Sequence, residues 1–307
     1  MNYDTFRRNE ISHHDLPDGF ALDSAPERDF GIHSAVYRSA NPEFFQTFLE
    51  YGSDLEGLCY CFWVSRNGER VGGVIIRPNH IEGLFVIPPF TDDFGMLAAV
   101  KPLLLHWSEK EKDIQAIELL PFEVDLYLRL GFRSDCIRRH LIRPTARFEV
   151  TWEDDVDLRA CEDGGIDDIC RLFAEAFAGG VGQYGRYTQE DYRRRLHGFP
   201  GNKTRDTVFG EASTLIYDRQ EGHLVAACLV GMVDQVPALE YLAVHPRYRR
   251  RKLAKRMIQK ALTVLHRDFR LLKVQVFVGN SAEALYSGLG FQPGIERYSL
   301  RIPAGTF

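Results

Sequence analysis

The chain has 307 residues, 45% hydrophobic and 26% charged, with a formal net charge of -5, a composition that excludes a disordered or fibrous chain and fits about two globular domains. No apolar run approaches the roughly 20 residues of a membrane-spanning helix, so no membrane partner is expected, and the opening MNYDTFRRNE lacks the apolar core of a signal peptide, so a cytoplasmic location is expected. The six cysteines (59, 61, 136, 161, 170, 228) form no C-x-x-C pair and no metal-ligand spacing with histidine, and His13-His14 reads as a solvated pair; reduced thiols and no metal are expected.

An internal repeat organises the chain. Glu82-Gly-Leu-Phe-Val86-Ile-Pro88 matches Glu240-Tyr-Leu-Ala-Val244-His-Pro246 at an offset of 158 residues. Tyr127-Leu-Arg-Leu-Gly-Phe132 matches Tyr286-Ser-Gly-Leu-Gly-Phe291 at 159, and Ile137-Arg-Arg-His-Leu-Ile-Arg143 matches Ile295-Glu-Arg-Tyr-Ser-Leu-Arg301 at 158. Three matches in register predict two tandem copies of one fold, 1–147 and 148–307, meeting near the turn-like Pro144-Thr-Ala-Arg147.

Within the second copy, alternation over 156–160 predicts a strand, and apolar residues at helical spacing from Ile166 to Phe177 predict a helix ending at Gly179-Gly180. Thr188 followed by Asp191 marks the start of a second helix to about His197. A hairpin follows, 213–217 with 224–231, and then a strand over 239–244 that Pro246 stops. Leu253, Met257, Ile258, Ala261, Leu262 and Leu265 form the apolar stripe of a long helix. A strand over 272–278, a short helix over 281–289 and a strand over 297–302 complete the order. Hairpin-linked strands with interspersed helices predict a mixed α/β (α+β) layer fold.

Two features concern ligands. Gly180-Val-Gly182-Gln-Tyr-Gly185 fits G-x-G-x-x-G, but a helix precedes it where a dinucleotide site needs a strand, so it reads as a helix–helix connection. Seven basic residues crowd the ten positions 247–256, between the strand 239–244 and the long helix. A helix N-terminus reached from a strand presents free amides and partial positive charge, which suits a small phosphorylated ligand. No second basic patch or aromatic interleaving supports nucleic acid; the bland alternative is a solvated basic face.

Val244-His-Pro-Arg-Tyr-Arg-Arg-Arg-Lys-Leu-Ala254 resembles the acetyl-CoA signature of the GNAT superfamily of N-acetyltransferases, a V-x-P-x-Y-R run leading into (R/Q)-x-x-G-x-(G/A) at a helix start. Arg249 falls on the (R/Q) position and Ala254 on the last; Lys252 stands where the family has glycine. Asn280-Ser-Ala-Glu-Ala-Leu-Tyr286-Ser-Gly-Leu-Gly-Phe291 is similar to the family's later N-x-x-A-x-x-x-Y-x-x-x-G-F element, and the resemblance covers about 150–305.

The resemblance implies two tandem GNAT-like domains, each a mostly antiparallel sheet flanked by helices, with acetyl-CoA as donor. Backbone groups of Leu242, Ala243 and Val244 would pair with the pantetheine arm, amides of Arg250, Arg251, Lys252, Leu253, Ala254 and Lys255 would cradle the pyrophosphate beside Arg249, and Asn280 would touch the pantetheine. Glu240 would be the base and Tyr286 the acid for the departing thiolate. A loop carrying Tyr184, Arg186 and Tyr187 would border the acceptor. The chemistry asks for such groups independently, because a protonated amine cannot attack a thioester until a base removes its proton.

In the first copy the phosphate loop becomes Pro89-Phe-Thr-Asp92-Asp93-Phe-Gly, whose carboxylates would repel a pyrophosphate. The expected activity is therefore N-acetylation of a small-molecule or peptide primary amine, by direct attack, in 148–307 alone. The alternatives are a non-catalytic module that binds CoA or a partner, kept open by Lys252, and an acyltransferase with another acyl donor. The acceptor and the oligomeric state are not written in the sequence.

Overall fold

Period-two and period-3.6 apolar patterns build the elements of the computed structural model, which describes residues 5–7, 12–38, 60–159, 165–180, 187–197, 208–233 and 235–307. These divide into two units, residues 1–138 with 294–307, and residues 139–293.

Unit 1 contains β1 (His13–Asp15), β2 (Phe20–Ser24), α1 (Glu27–Tyr37), β3 (Cys61–Arg66), β4 (Glu69–Arg77), β5 (His80–Val86), α2 (Asp93–Trp107), β6 (Ile114–Leu119), α3 (Val124–Arg129) and the start of β7 (Arg133–Pro144). Its strands pair antiparallel from β1 through β5, and β5 then pairs parallel with β6. The next neighbour of β6 is β13 (Gln292–Ile302), antiparallel, with Leu300 opposite Ala116 and Ile302 opposite Ile114. Leu300 and Ile302 join Val64, Ile76, Leu103 and Tyr127 in the core of this unit.

Unit 2 contains the later part of β7, then β8 (Val156–Arg159), α4 (Ile166–Phe177), α5 (Gln189–His197), α6 (Val208–Ala212), β9 (Thr214–Asp218), β10 (Leu224–Val233), β11 (Val236–Val244), α7 (Leu253–Leu265), β12 (Leu271–Phe277) and α8 (Ala282–Gly288). Its strand order is β7-β12-β11-β10-β9-β8. Alternation assigns the faces. Ile216, Ala226, Cys228 and Val230 pack with the stripe of α7, whereas Leu215, Tyr217, Ala227 and Leu229 pack with Ile169 and Phe173 of α4 and Tyr192 of α5. Burial on both faces explains why β10 is continuously apolar from Leu224 to Val230.

The mixed α/β architecture is as expected, and the elements of the second copy form within a few residues of their predicted limits. The repeat is written into the pairing itself. His80 and Ile81 face Gln115 and Ala116 in unit 1, and Ala238 and Leu239 face Lys273 and Val274 in unit 2, each position shifted by 158. The units do not coincide with the contiguous spans 1–147 and 148–307. The strand ending each sequence repeat is shared out differently: residues 139–144 of β7 belong to unit 2, and residues 294–302 of β13 belong to unit 1.

Candidate functional site

β11 and β12 are hydrogen-bonded in parallel only at Ala238–Leu239, so their later residues diverge. The divergence has a local cause. Leu229 lies opposite Tyr241 and Val230 opposite Leu239, which leaves Glu240 as the extra residue of a β-bulge. The resulting cleft, about 640 Å³ of space partly open to solvent, is lined by Leu239–Leu242, Val274–Phe277, Phe177, Gly180, Asn280, Ala282 and Tyr286.

The Glu240 carboxylate borders this cleft with Oε1 buried and without a hydrogen-bond partner. Burial without compensation disfavours its charge and pushes its pKa up to about 7. Tyr286, only 4% exposed, rests edge-on against Phe291 at 5.6 Å, and burial raises its pKa above the usual phenol value. Asn280 is held in the turn before α8: its backbone N–H donates to Phe277 O at 3.1 Å and its Oδ1 accepts from Ala282 N at 2.9 Å. Leu242 lines the cleft, while Ala243 and Val244 pack into the cores of the two faces.

Beyond β11 the chain makes a 3₁₀ turn (Pro246–Tyr248) and reaches α7 through Arg250 and Lys252, both left-handed at φ 66° and 60°. This is the conformation that explains glycine at the Lys252 position in the family signature. Lys252 is the N-cap of α7, and no side chain caps the helix. The basic cluster divides into two roles. Arg249 donates to Ala176 O at 2.7 Å and Val244 O at 3.4 Å, tying the end of α4 to the loop. Arg251 holds Glu153 and Asp155 and lies over the Tyr248 ring, and Arg256 reaches Glu153 at 2.8 Å. These bonds depress the Glu153 pKa and raise that of Arg251. Arg247, Arg250, Lys252 and Lys255 have no side-chain partner among the described residues, so a helix start with uncapped amides is ringed by uncommitted cations. Leu253 is buried in the core, and Ala254 sits in the first turn of α7.

Glu240, Leu242, Asn280 and Tyr286 thus share one cleft. Tyr184 and Arg186 lie outside the described residues. Tyr187 packs edge-on to Tyr192 at 5.5 Å beneath the Arg195 guanidinium and is not among the residues that line the cleft. Sequence reasoning missed Phe177 and Gln275 as lining residues; a glutamine inside the apolar run Val274-Gln-Val-Phe277 was the available signal.

In unit 1 an ion pair ties the end of α1 to β6 and the start of α3. Arg38, with a side chain 6% exposed, donates to Glu118 O of β6 and pairs with Glu123 at 3.3 Å. Glu123 also accepts from Leu120 N at 2.6 Å. Tyr127 is fully buried, edge-on to Phe132 at 5.3 Å, with no partner for its hydroxyl, and Glu82 faces His80 at 3.1 Å. The first turn of α2 is occupied by its own carboxylate, since Asp92 caps Gly95 N at 2.8 Å and pairs with Arg66 at 3.5 Å. No group of three or more histidine, cysteine or acidic side chains is arranged for a metal among the described residues, and no described helix is long and apolar enough to cross a membrane.

Residues 166–291 match the acetyltransferase (GNAT) family model. No curated protein matches the chain. Among solved structures, a GCN5-related N-acetyltransferase from Sphaerobacter thermophilus aligns with 94% of this chain and 97% of its own, at 19% identity and TM-score 0.66. A tandem GNAT protein from the clavulanic acid biosynthesis pathway aligns over 94% and 99%, at 14% identity and TM-score 0.60. At these identities the likeness concerns the fold. The match to the acetyltransferase (GNAT) family model lies within 166–291, and the solved structures show that the chain has a tandem GNAT fold.

Proposed function

We propose that the cleft of unit 2 transfers an acetyl group from acetyl-CoA to a primary amine, and that unit 1 does not catalyse. The observation that carries this reading is one continuous arrangement: an unpartnered carboxylate on a bulge, a buried tyrosine, a strand left open where β11 leaves β12, and an uncapped helix start with free cations. Acetyl-CoA would supply an activated acyl group as its thioester.

This chain's own residues bind and orient it. The amides at the start of α7, with Arg250, Lys252 and Lys255, suit the pyrophosphate by charge and by unsatisfied donors. Arg249 and Arg251 shape the loop through Ala176, Glu153 and Asp155. The open edge of Leu242–Val244 suits the amide-bearing pantetheine arm. Glu240, with its pKa near 7, takes the proton of the incoming ammonium. Tyr286, neutral at any working pH, holds a proton for the sulfur when the C–N bond forms and the C–S bond breaks. Unit 1 keeps the matching Glu82 and Tyr127 but commits Arg38 to Glu118 and Glu123 and satisfies the helix start with Asp92.

Calorimetric titration with acetyl-CoA tests the reading. One site per chain, followed by CoA release only when an amine is added, is expected. A stoichiometry near two, or binding with no release across an amine panel, overturns it.

A further inference from the structure

Of the basic residues in 247–256, two are neutralised in place. Glu153, ahead of β8, bridges them: its Oε2 accepts from Arg251 Nε at 2.9 Å and its Oε1 from Arg256 Nη1 at 2.8 Å. Asp155 accepts from Arg251 Nη2 at 2.7 and 2.8 Å. Two guanidinium groups thus meet two carboxylates, and the network brings no net charge to the start of α7. What it brings is shape. Arg251 lies between Arg250 and Lys252, the two left-handed residues of the loop. A residue with a Cβ keeps that conformation only where its surroundings over-determine it. Arg251 is held from three directions, the third being the Tyr248 ring at 5.5 Å, whose hydroxyl donates to Asp218 at 2.7 Å. Through Arg256, Glu153 also grips the helix start itself, where Arg256 N donates to Lys252 O at 3.1 Å. Neither carboxylate lies within 166–291, the span that the family model matches.

We infer that Glu153 and Asp155 are positioning residues for donor binding: through Arg251 they hold the backbone of 250–252 in the shape whose amides receive the pyrophosphate, and the Arg251 guanidinium is not itself a phosphate ligand. This inference rests on the acetyl-CoA reading given above. The two roles open to a carboxylate beside an anion-binding loop differ in sign. As charges alone, Glu153 and Asp155 repel a polyanion, so their removal strengthens binding. As clamps, their removal frees Arg250 and Lys252 to leave the left-handed region, and the amides turn away from the ligand.

Calorimetric titration of the full chain with acetyl-CoA compares the wild type, Glu153→Gln with Asp155→Asn, Arg251→Gln, and all three substitutions together, with melting temperatures measured alongside. The carboxylate pair is expected to raise Kd roughly 5- to 30-fold, the population factor for releasing one left-handed residue, although it makes the loop more positive. Arg251→Gln is expected to weaken binding to a similar degree, and the triple variant no further, since the three side chains act as one unit. Asp155→Asn alone leaves Glu153 on both arginines; it keeps the sign at smaller size and serves if the pair does not fold. Unchanged or tighter binding by the carboxylate variants overturns the inference, and a lowered melting temperature beside it marks a clamp that serves stability alone. A further loss from Arg251→Gln in the carboxylate-free background makes Arg251 a phosphate ligand and overturns the inference as well. A wild-type chain that binds no acetyl-CoA overturns the donor reading, and the inference with it.

Discussion

Lys252 holds a left-handed backbone at φ 60° that costs a residue with a Cβ roughly 1–2 kcal/mol. Lys252→Gly should therefore leave the melting temperature unchanged or raise it, while acetyl-CoA affinity falls less than fivefold if backbone amides carry the phosphate contact; a larger loss would make the lysine ammonium itself a ligand. Glu240 supplies a pH dependence with a definite sign. Burial raises its pKa to about 7 in the fold, so the base form appears only above that point. The ratio kcat/KM should climb about tenfold per pH unit below 7 and level off above it. Stability runs the other way: the contribution of the neutral carboxyl is complete below the unfolded value near 4.3 and is lost as pH rises through about 7. Glu240→Gln should thus abolish the activity profile yet raise the melting temperature at pH 8. The paired tyrosines provide an internal control, since each rests edge-on against the phenylalanine five residues later. Tyr286→Phe should lower kcat by roughly 10²-fold, the scale of a lost proton donor, with Tyr127→Phe silent in kcat.

At the scale of elements, two helix starts built on repeated sequence have diverged into opposite electrostatic states. The first turn of α7 lacks a side-chain cap, and that of α2 is satisfied by Asp92. Arg38 ties the end of α1 to β6 and to the start of α3. Arg38→Ala leaves Glu123 as an uncompensated buried charge and should destabilise unit 1 by about 3–5 kcal/mol; calorimetric unfolding checks this, and Arg38→Met combined with Glu123→Leu should recover much of the loss. The helices and strands of the second copy were legible because their periodicity is local, as the stripe from Leu253 to Leu265 shows. The basic loop before α7 was legible because its residues are consecutive. The bulge at Glu240 was not, since it exists only in the register between β10 and β11. Neither was the Arg38–Glu123 pair, since Arg38 meets partners eighty or more residues away with no pattern linking them.

For the whole molecule, the exchanged end strands matter most. A sequence repeat suggests that each copy closes on itself, but pairing energy follows edges and not sequence order. Unit 1 takes β13 as the neighbour of β6, placing Leu300, 1% exposed, and Ile302 in its core. Leu300→Ala should therefore destabilise unit 1, by about 2–5 kcal/mol, although the residue belongs to the second sequence repeat. Limited proteolysis followed by mass spectrometry checks this, with new cuts expected in 60–132 before any in 208–277.

The same exchange reverses the order in which the two units are finished on the ribosome. Residues 139–293 are all synthesised before 294–302, so unit 2 has its full set of strands while β6 still waits for its neighbour. During that interval Ile114–Leu119 offers an open apolar edge, the kind that recruits other chains. The half made first is completed last, because unit 1 waits for residues 294–302 after every strand of unit 2 has been made.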